Sequence, residues 1–279
     1  MFGIKKLLGL PFRIILEGKY AFADFQSAGL LLLYMAKDEM DRRWAQSILG
    51  RLWFLLYPLL FLGMYATVHF SVLNIRMGQM SQLDFTLLIF CGLVPYFCLA
   101  ESLNAGTSSL NGNRGLFDSI KIPVELIPAR SVLVAFLGMA FSITLLVAGL
   151  GFIGKLTAYT LLVIPAVLLQ LLFTLGLVWF LSVMAVFVRE VGNIVQIFVL
   201  MMLFTSPFAY TSDMVPEHLK FILHFNPMYY MVELYREPMF YGRLPDLNLY
   251  LIFGGLSIFL FLSGHYFIRN LKSSVIDYV

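Results

Sequence analysis

Six apolar runs, each about long enough to cross a bilayer and none charged near its middle, fix what this chain can become. They lie at about 52–73, 85–103, 124–150, 158–188, 193–210 and 249–268. A hydrocarbon core about 30 Å thick requires about 20 apolar residues in a helix, which satisfies its backbone hydrogen bonds without water. The run at 158–188 exceeds that length, so a tilted or projecting helix is expected there. The run at 193–210 starts with the polar Asn193 and Gln196 and has Pro207 near its end. Charged residues make up only 13% of the chain, against about 25% in soluble domains. The sequence therefore predicts an all-α polytopic membrane protein with six transmembrane helices.

Orientation follows from the basic residues. Six spans return the chain to the side on which it starts. Placing the N-terminus inside puts 14 of the 19 Lys and Arg residues on the cytoplasmic side and leaves Arg76, Lys155, Lys220, Arg236 and Arg243 outside. By the positive-inside rule both termini are cytoplasmic and the protein is a multi-pass component of the cytoplasmic (inner) membrane. Residues 1–27 mix Lys5, Lys6, Arg13 and Lys19 with Ile, Leu and Phe and form a basic interfacial segment on an anionic leaflet. No small-residue cleavage site follows their short apolar patch, so no secretory signal is expected there. Residues 28–279 then make one transmembrane domain.

An amphipathic interface helix is expected over 28–46. It carries Lys37, Arg42 and Arg43 with interleaved acids and runs without a breaker through Arg51 into the first span. Between the fifth and sixth spans, Pro216, Pro227, Pro238 and Pro245 divide an external segment into amphipathic pieces too short to cross. Their Phe, Met and Tyr content points to an external re-entrant helical hairpin before the last span. Cys91 and Cys98, seven apart in one run, read as buried small apolar residues.

The missing chemistry narrows function further. Ion-coupled transporters need intramembrane carboxylates or bases. Here Glu101, Glu125 and Arg130 fall at the cytoplasmic ends of spans two and three, and His69 and His265 near span ends. The sequence offers no catalytic constellation and no metal-ligand set, so no catalytic residue and no metal is assigned. It contains no G-x-x-x-x-G-K-[ST] loop for ATP, and its polar stretches are too short for a nucleotide-binding domain. Any work on a substrate must be powered by a separate ATPase. A nucleic-acid surface is not indicated. Aromatic residues reach 16% of the chain, and Trp53, Tyr57 and Phe61 recur at i, i+4 and i+8 as one stripe on the first span.

The motifs then resemble one family in collinear order. Arg43-Trp44, Ser47, Leu49-Gly50, Trp53 and Pro58 are similar to the opening signature of type-2 ABC permeases of the O-antigen, capsule and teichoic-acid exporters. Gly92 to Tyr96, Ser108 to Asn111, Lys121-Ile122-Pro123, Pro128, Arg189-Glu190, Ser206-Pro207, Tyr210, Asn226-Pro227, Tyr229 and Arg236 continue the likeness. The family usually has Arg-Asp where this chain has Arg189-Glu190, and the longer carboxylate loosens any helix cap.

That resemblance implies a permease subunit exporting a lipid-linked (undecaprenyl-pyrophosphate) polysaccharide such as O-antigen. Its partners would be two copies of a cytosolic ABC ATPase, which binds ATP and Mg, together with a second copy of the chain and membrane lipids. Asn111, Arg114, Lys121, Arg189 and Glu190 would couple to the ATPase. Pro207, Asn226, Pro227, Tyr229 and Arg236 would belong to the external hairpin. Arg42, Arg43 and Arg51 would meet the pyrophosphate head group, and Trp53, Tyr57, Phe61, Phe204 and Phe208 would line the channel. Export of small hydrophobic compounds, and a non-transport membrane scaffold, are the alternatives.

Overall fold

The structure, a computed structural model, describes residues 20, 28–43, 47–68, 80–113, 123–208, 216 and 220–278. All regular structure among them is helical. Helix α1 covers 28–43. It is followed by α2 (Trp53–Thr67), α3 (Gln82–Gly112), α4 (Leu126–Phe152), α5 (Val163–Phe187), α6 (Val191–Thr205), α7 (Lys220–Phe225), α8 (Pro227–Met239) and α9 (Leu247–Tyr278). Among the described residues, four segments are long and apolar enough to cross a membrane: α3, α4, α5 with its leading 3-10 turn, and α9. The apolar helices α2 and α6 are shorter, at 15 residues each. The basic segment 1–27, apart from Tyr20, lies outside the described residues, as do Arg114 and Lys121.

Local sequence sets most boundaries. Ser81 caps α3 by accepting a hydrogen bond from the Asp84 amide at 3.1 Å. At 31 residues α3 is about 46 Å long, so it outruns a hydrocarbon core and continues past the expected end at Leu103 as a polar projection. The overlong run at 158–188 resolves into a 3-10 turn, Ala158–Leu162, followed by α5 with Pro165 in its first turn, where a missing amide proton costs nothing. Helix α6 stops at Thr205 because Pro207 excludes the helical conformation from Ser206, which is extended at ψ 148°.

Helix α3 is the spine of the bundle, packed against α4, α5, α6 and α8. Cys91 and Cys98 are buried in it as free thiols, as their spacing predicts. Helices α5 and α9 cross in close contact because both lack side chains at the crossing. A Cβ on Gly176 would lie 2.2 Å from the Leu260 carbonyl oxygen, and one on Gly264 2.2 Å from that of Gly176. Some buried polar groups pair across helices. Gln170 donates to the Pro95 carbonyl at 2.9 Å, and the Tyr235 hydroxyl bonds to Gln170 Oε1 at 2.5 Å. Tyr235 thereby joins α8 to α5 and to the proline of α3.

The segment before α9 is built into this core. In α8, Met228, Tyr230 to Arg236, Pro238 and Met239 are all buried. Asn226 caps the helix through the Met228 amide at 2.9 Å with Pro227 in its first turn. Charges that make α8 look surface-exposed in sequence are neutralised internally. Arg236 is fully buried, 3.2 Å from Glu233, and donates to the Pro207 and Phe208 carbonyls at 2.7 and 3.0 Å. Pro207, Asn226, Pro227 and Arg236, expected in a hairpin, come together at the end of α6, where Asn226 Nδ2 also donates to Ser206 Oγ at 3.3 Å.

One end of the bundle gathers most of the basic groups among the described residues. The Arg269 guanidinium of α9 sits 3.8 Å over the Tyr20 ring, and Lys272 lies 3.9 Å from Glu125 at the start of α4. Asn111 and α1 are at the same end (described below). At the opposite end Lys155 pairs with Asp84 at 3.0 Å and lies 3.8 Å from the Phe240 ring centre.

Candidate functional site

The site begins with α1. Ala28, Leu32, Met35 and Ala36 are buried, at the i, i+4, i+7 and i+8 positions of one face. Ala36 packs on Val134 of α4, with Met40 and Leu133 at the edge. Polar contacts fix the register. Arg130, buried at the start of α4, reaches Glu39 of α1 at 3.1 Å and donates to Asn113 Oδ1, just past α3, at 2.7 Å. One guanidinium therefore ties α1, α3 and α4 together.

The turn from α1 into α2 explains three motif residues. Gly50 has φ +51°, a left-handed conformation that a residue with a Cβ adopts at a cost. Its amide donates to the Ser47 carbonyl at 3.1 Å, and Trp53 Nε1 donates to Ser47 Oγ at 3.0 Å. The turn redirects the chain and sets the Trp53 indole at the base of α2.

Between the end of α1 and helices α2, α3 and α4 lies a cavity of about 420 Å³. Arg43 and Glu101 stand in its wall together, and Arg43 Nη1 donates to Glu101 Oε1. Trp53, Tyr57 and Phe97 give it aromatic faces, while Met139, Val94 and Ala135 supply aliphatic surface. Phe97 meets Tyr57 edge-on at 5.6 Å between ring centres and Phe61 at 4.8 Å. The chemistry is that of an amphiphile site, with an ion pair beside an apolar aromatic wall.

The expected site residues separate on this frame. Arg43, Trp53 and Tyr57 line the cavity, and Phe61 backs it through Phe97. Arg42 points along α1 into an exposed pair with Asp38 at 2.8 Å. Arg51 belongs to the 3-10 turn Gly50–Leu52, and its side chain is outside the described residues. Phe204 is 76% exposed on α6, whereas Phe208 is fully buried against Tyr96, 5.2 Å between ring centres, so neither meets the cavity. Asn111 donates to the Ala185 carbonyl at 2.8 Å and clamps α3 to α5. Arg189 and Glu190 are exposed in the turn between α5 and α6. Glu190 stands at the N-cap of α6 without a side-chain cap bond, in keeping with its extra methylene. Tyr229 is half-buried beside His224, 5.7 Å between ring centres.

Two residues that sequence placed only at span ends take on contacts in the site. Glu101 is the sole charged residue between Asp84 and Arg114, which was the available signal. Arg130 resembled any basic residue at a span end, and its role emerges only with α1 docked.

Comparison with known proteins agrees with this frame. The ABC-2 type transporter family model matches residues 31–240. The chain is 27% identical over 216 residues to the O-antigen export system permease protein RfbA of Klebsiella pneumoniae, covering 77% of this chain and 82% of that one. Its identity to RfbA of Myxococcus xanthus is also 27%, over 220 residues, with the same coverage. The polysialic acid transport protein KpsM of Escherichia coli is 26% identical over 217 residues, covering 75% and 80%.

Proposed function

The chain belongs to the ABC-2 type transporter family, and from that premise we propose that it is the permease subunit of an ATP-driven exporter of a lipid-linked polysaccharide, of the undecaprenyl-pyrophosphate type. In this reading α2 and α6 complete a set of six spans and α7–α8 form the external re-entrant hairpin. Both termini are cytoplasmic, in the inner membrane. A second copy of the chain completes the pathway, and two copies of a cytosolic ATPase bind ATP and Mg and drive it. The relatives' names support a polysaccharide as cargo.

The observation that carries this reading is the cavity wall. Arg43 stands where a surface helix turns into apolar ones, beside aromatic rings and aliphatic surface. A guanidinium offers forked donors to phosphate oxygens, and ring faces suit the C–H faces of sugars and isoprenoid chains alike. Arg42 and Arg51, close to Arg43 in the chain, would add positive charge to the same site. Asn111, Arg189 and Glu190, at the end of the bundle that carries α1, would meet the ATPase together with Arg114 and Lys121, and Tyr57 would lead from the head-group site toward the channel.

The test is ATPase activity of this subunit co-purified with the ATPase encoded beside it, with and without lipid-linked glycan. Stimulation by the glycan supports the reading. A stable complex that ignores glycan and responds to small amphiphiles replaces it with export of hydrophobic compounds. Failure to form a complex leaves a membrane scaffold as the better description.

A further inference from the structure

We infer that Glu101 is a specificity-determining residue of the head-group site, a built-in competitor that occupies Arg43 and yields it to a pyrophosphate but not to an ordinary phosphodiester lipid. That inference rests on the reading of Arg43 as a head-group contact. The structural part is the pair itself. Glu101 comes from the interior of α3 and Arg43 from the end of α1, and both line the cavity. The Arg43 side chain is 38% exposed and that of Glu101 30%, so a ligand in the cavity reaches the pair.

The pair is not needed to hold α1. Ala36 on Val134 and Glu39 on Arg130 already dock that helix. A carboxylate and a phosphate satisfy a guanidinium through the same donors. Glu101 therefore occupies the place that a ligand phosphate would take, and it repels any anion that approaches.

Membrane composition gives this a purpose. Anionic phosphodiester lipids, whose single phosphate charge no head-group cation balances, vastly outnumber any lipid-linked cargo, and an unopposed guanidinium at this level would be saturated by them. A phosphodiester brings one negative charge, which merely replaces the one it displaces. A pyrophosphate diester brings two, with more acceptor oxygens, so it gains where the phosphodiester breaks even. A partly exposed pair is worth roughly 1 kcal/mol at most, so its loss corresponds to about fivefold in affinity.

The test uses the full chain in phosphatidylcholine nanodiscs, with or without phosphatidylglycerol, and labelled farnesyl pyrophosphate as the probe. Glu101→Gln keeps the shape and an acceptor for Arg43 and removes the charge. It is expected to bind the probe about fivefold more tightly in phosphatidylcholine, and to lose that gain as phosphatidylglycerol is added. Wild type changes little with phosphatidylglycerol. Arg43→Gln separates the two levels. If it binds the probe as wild type does, the head-group reading fails and this inference falls with it.

If Arg43→Gln weakens binding but Glu101→Gln weakens it too or leaves it unchanged, Glu101 only supports Arg43. The inference is then overturned while the head-group reading stands. Glu101→Asp serves where Glu101→Gln does not fold. Its shorter carboxylate draws back from Arg43, so binding tightens by a smaller factor, and equal or weaker binding refutes the competitor role.

Discussion

Arg236→Met removes the guanidinium that holds the segment before α9 to the end of α6. The consequence can be worked from its contacts. Two backbone carbonyls, of Pro207 and Phe208, lose their donor, at about 1 kcal/mol each. Glu233, only 8% exposed, loses the cation beside it. Removing one partner of a buried ion pair costs about 3–5 kcal/mol in all, so about 4 kcal/mol is expected here. For a chain of this size that is roughly an 8–16 °C fall in melting temperature.

The loss has a pH signature. Burial already raises the Glu233 carboxyl above its ordinary range, and the Arg236 charge is what opposes the rise. Without Arg236 the rise is larger. A carboxyl whose folded value lies above its unfolded one contributes stability that is full at low pH and is lost as pH climbs through the folded value. Arg236→Met should therefore melt higher near pH 5 than near pH 8, more steeply than wild type. Glu233→Leu combined with Arg236→Met removes the uncompensated carboxylate. The double variant should lose the slope and recover about half of the stability, leaving the two carbonyls as the residual cost of about 2 kcal/mol. The assay is thermal unfolding of the purified full chain in nanodiscs across that pH range. A single variant within 1 kcal/mol of wild type, or a loss independent of pH, would refute the reasoning.

Gly264→Val places a side chain against the Gly176 carbonyl and forces α5 and α9 apart. A loss of roughly 1–3 kcal/mol is expected by thermal unfolding, whereas Gly255→Ala, with nothing within 4 Å, should be neutral or better. Water-soluble maleimide should label Tyr57→Cys, which is 57% exposed beside the cavity, and spare Phe208→Cys, which is fully buried. Arg130→Met should release α1 from α4. Ala36→Cys, at a position 1% exposed in the wild-type chain, then becomes labelled in the Arg130→Met background and stays protected when Arg130 is present.

How much of this was legible in the sequence differs from element to element. The long spans were, because an uncharged apolar run has few other fates. The extent of α3 was not, since the apolar run ends at Leu103, the Asn111 side chain finds the Ala185 carbonyl only once α5 is in place, and Asn113 Oδ1 receives Arg130 only once α4 is. Helix α8 was legible as a short helix, from Asn226-Pro227 at its start. Its burial was hidden because Glu233 and Arg236 count as surface charges until the Pro207 and Phe208 carbonyls are brought against them. The aromatic stripe was half legible. Tyr57 and Phe61 do share a neighbour in Phe97, but periodicity on α2 carries no information on Phe204 or Phe208, whose surroundings are set by other helices.

The ion pairs divide the molecule into parts that hold and parts that can exchange. Arg236 is fully buried, with contacts to Glu233 and to the Pro207 and Phe208 carbonyls, and no ligand competes for it without first dismantling α8. Arg130 is nearly as enclosed and has partners on α1 and just past α3. Both are too costly to break during a cycle, at about 3–5 kcal/mol for loss of a buried partner. Arg42 with Asp38 lies at the opposite limit, at 74% and 54% exposure on one face of α1, where a pair contributes about 0.3–0.5 kcal/mol and specifies nothing beyond that helix. Arg43 with Glu101 occupies the middle ground. It links two helices, it opens onto a cavity, and at roughly 1 kcal/mol it is weak enough for a dianionic ligand to replace one partner. In the proposed export role, a site that binds and then releases its cargo needs a contact of that strength, and the mouth of the cavity between α1 and α3 is where this pair would supply it.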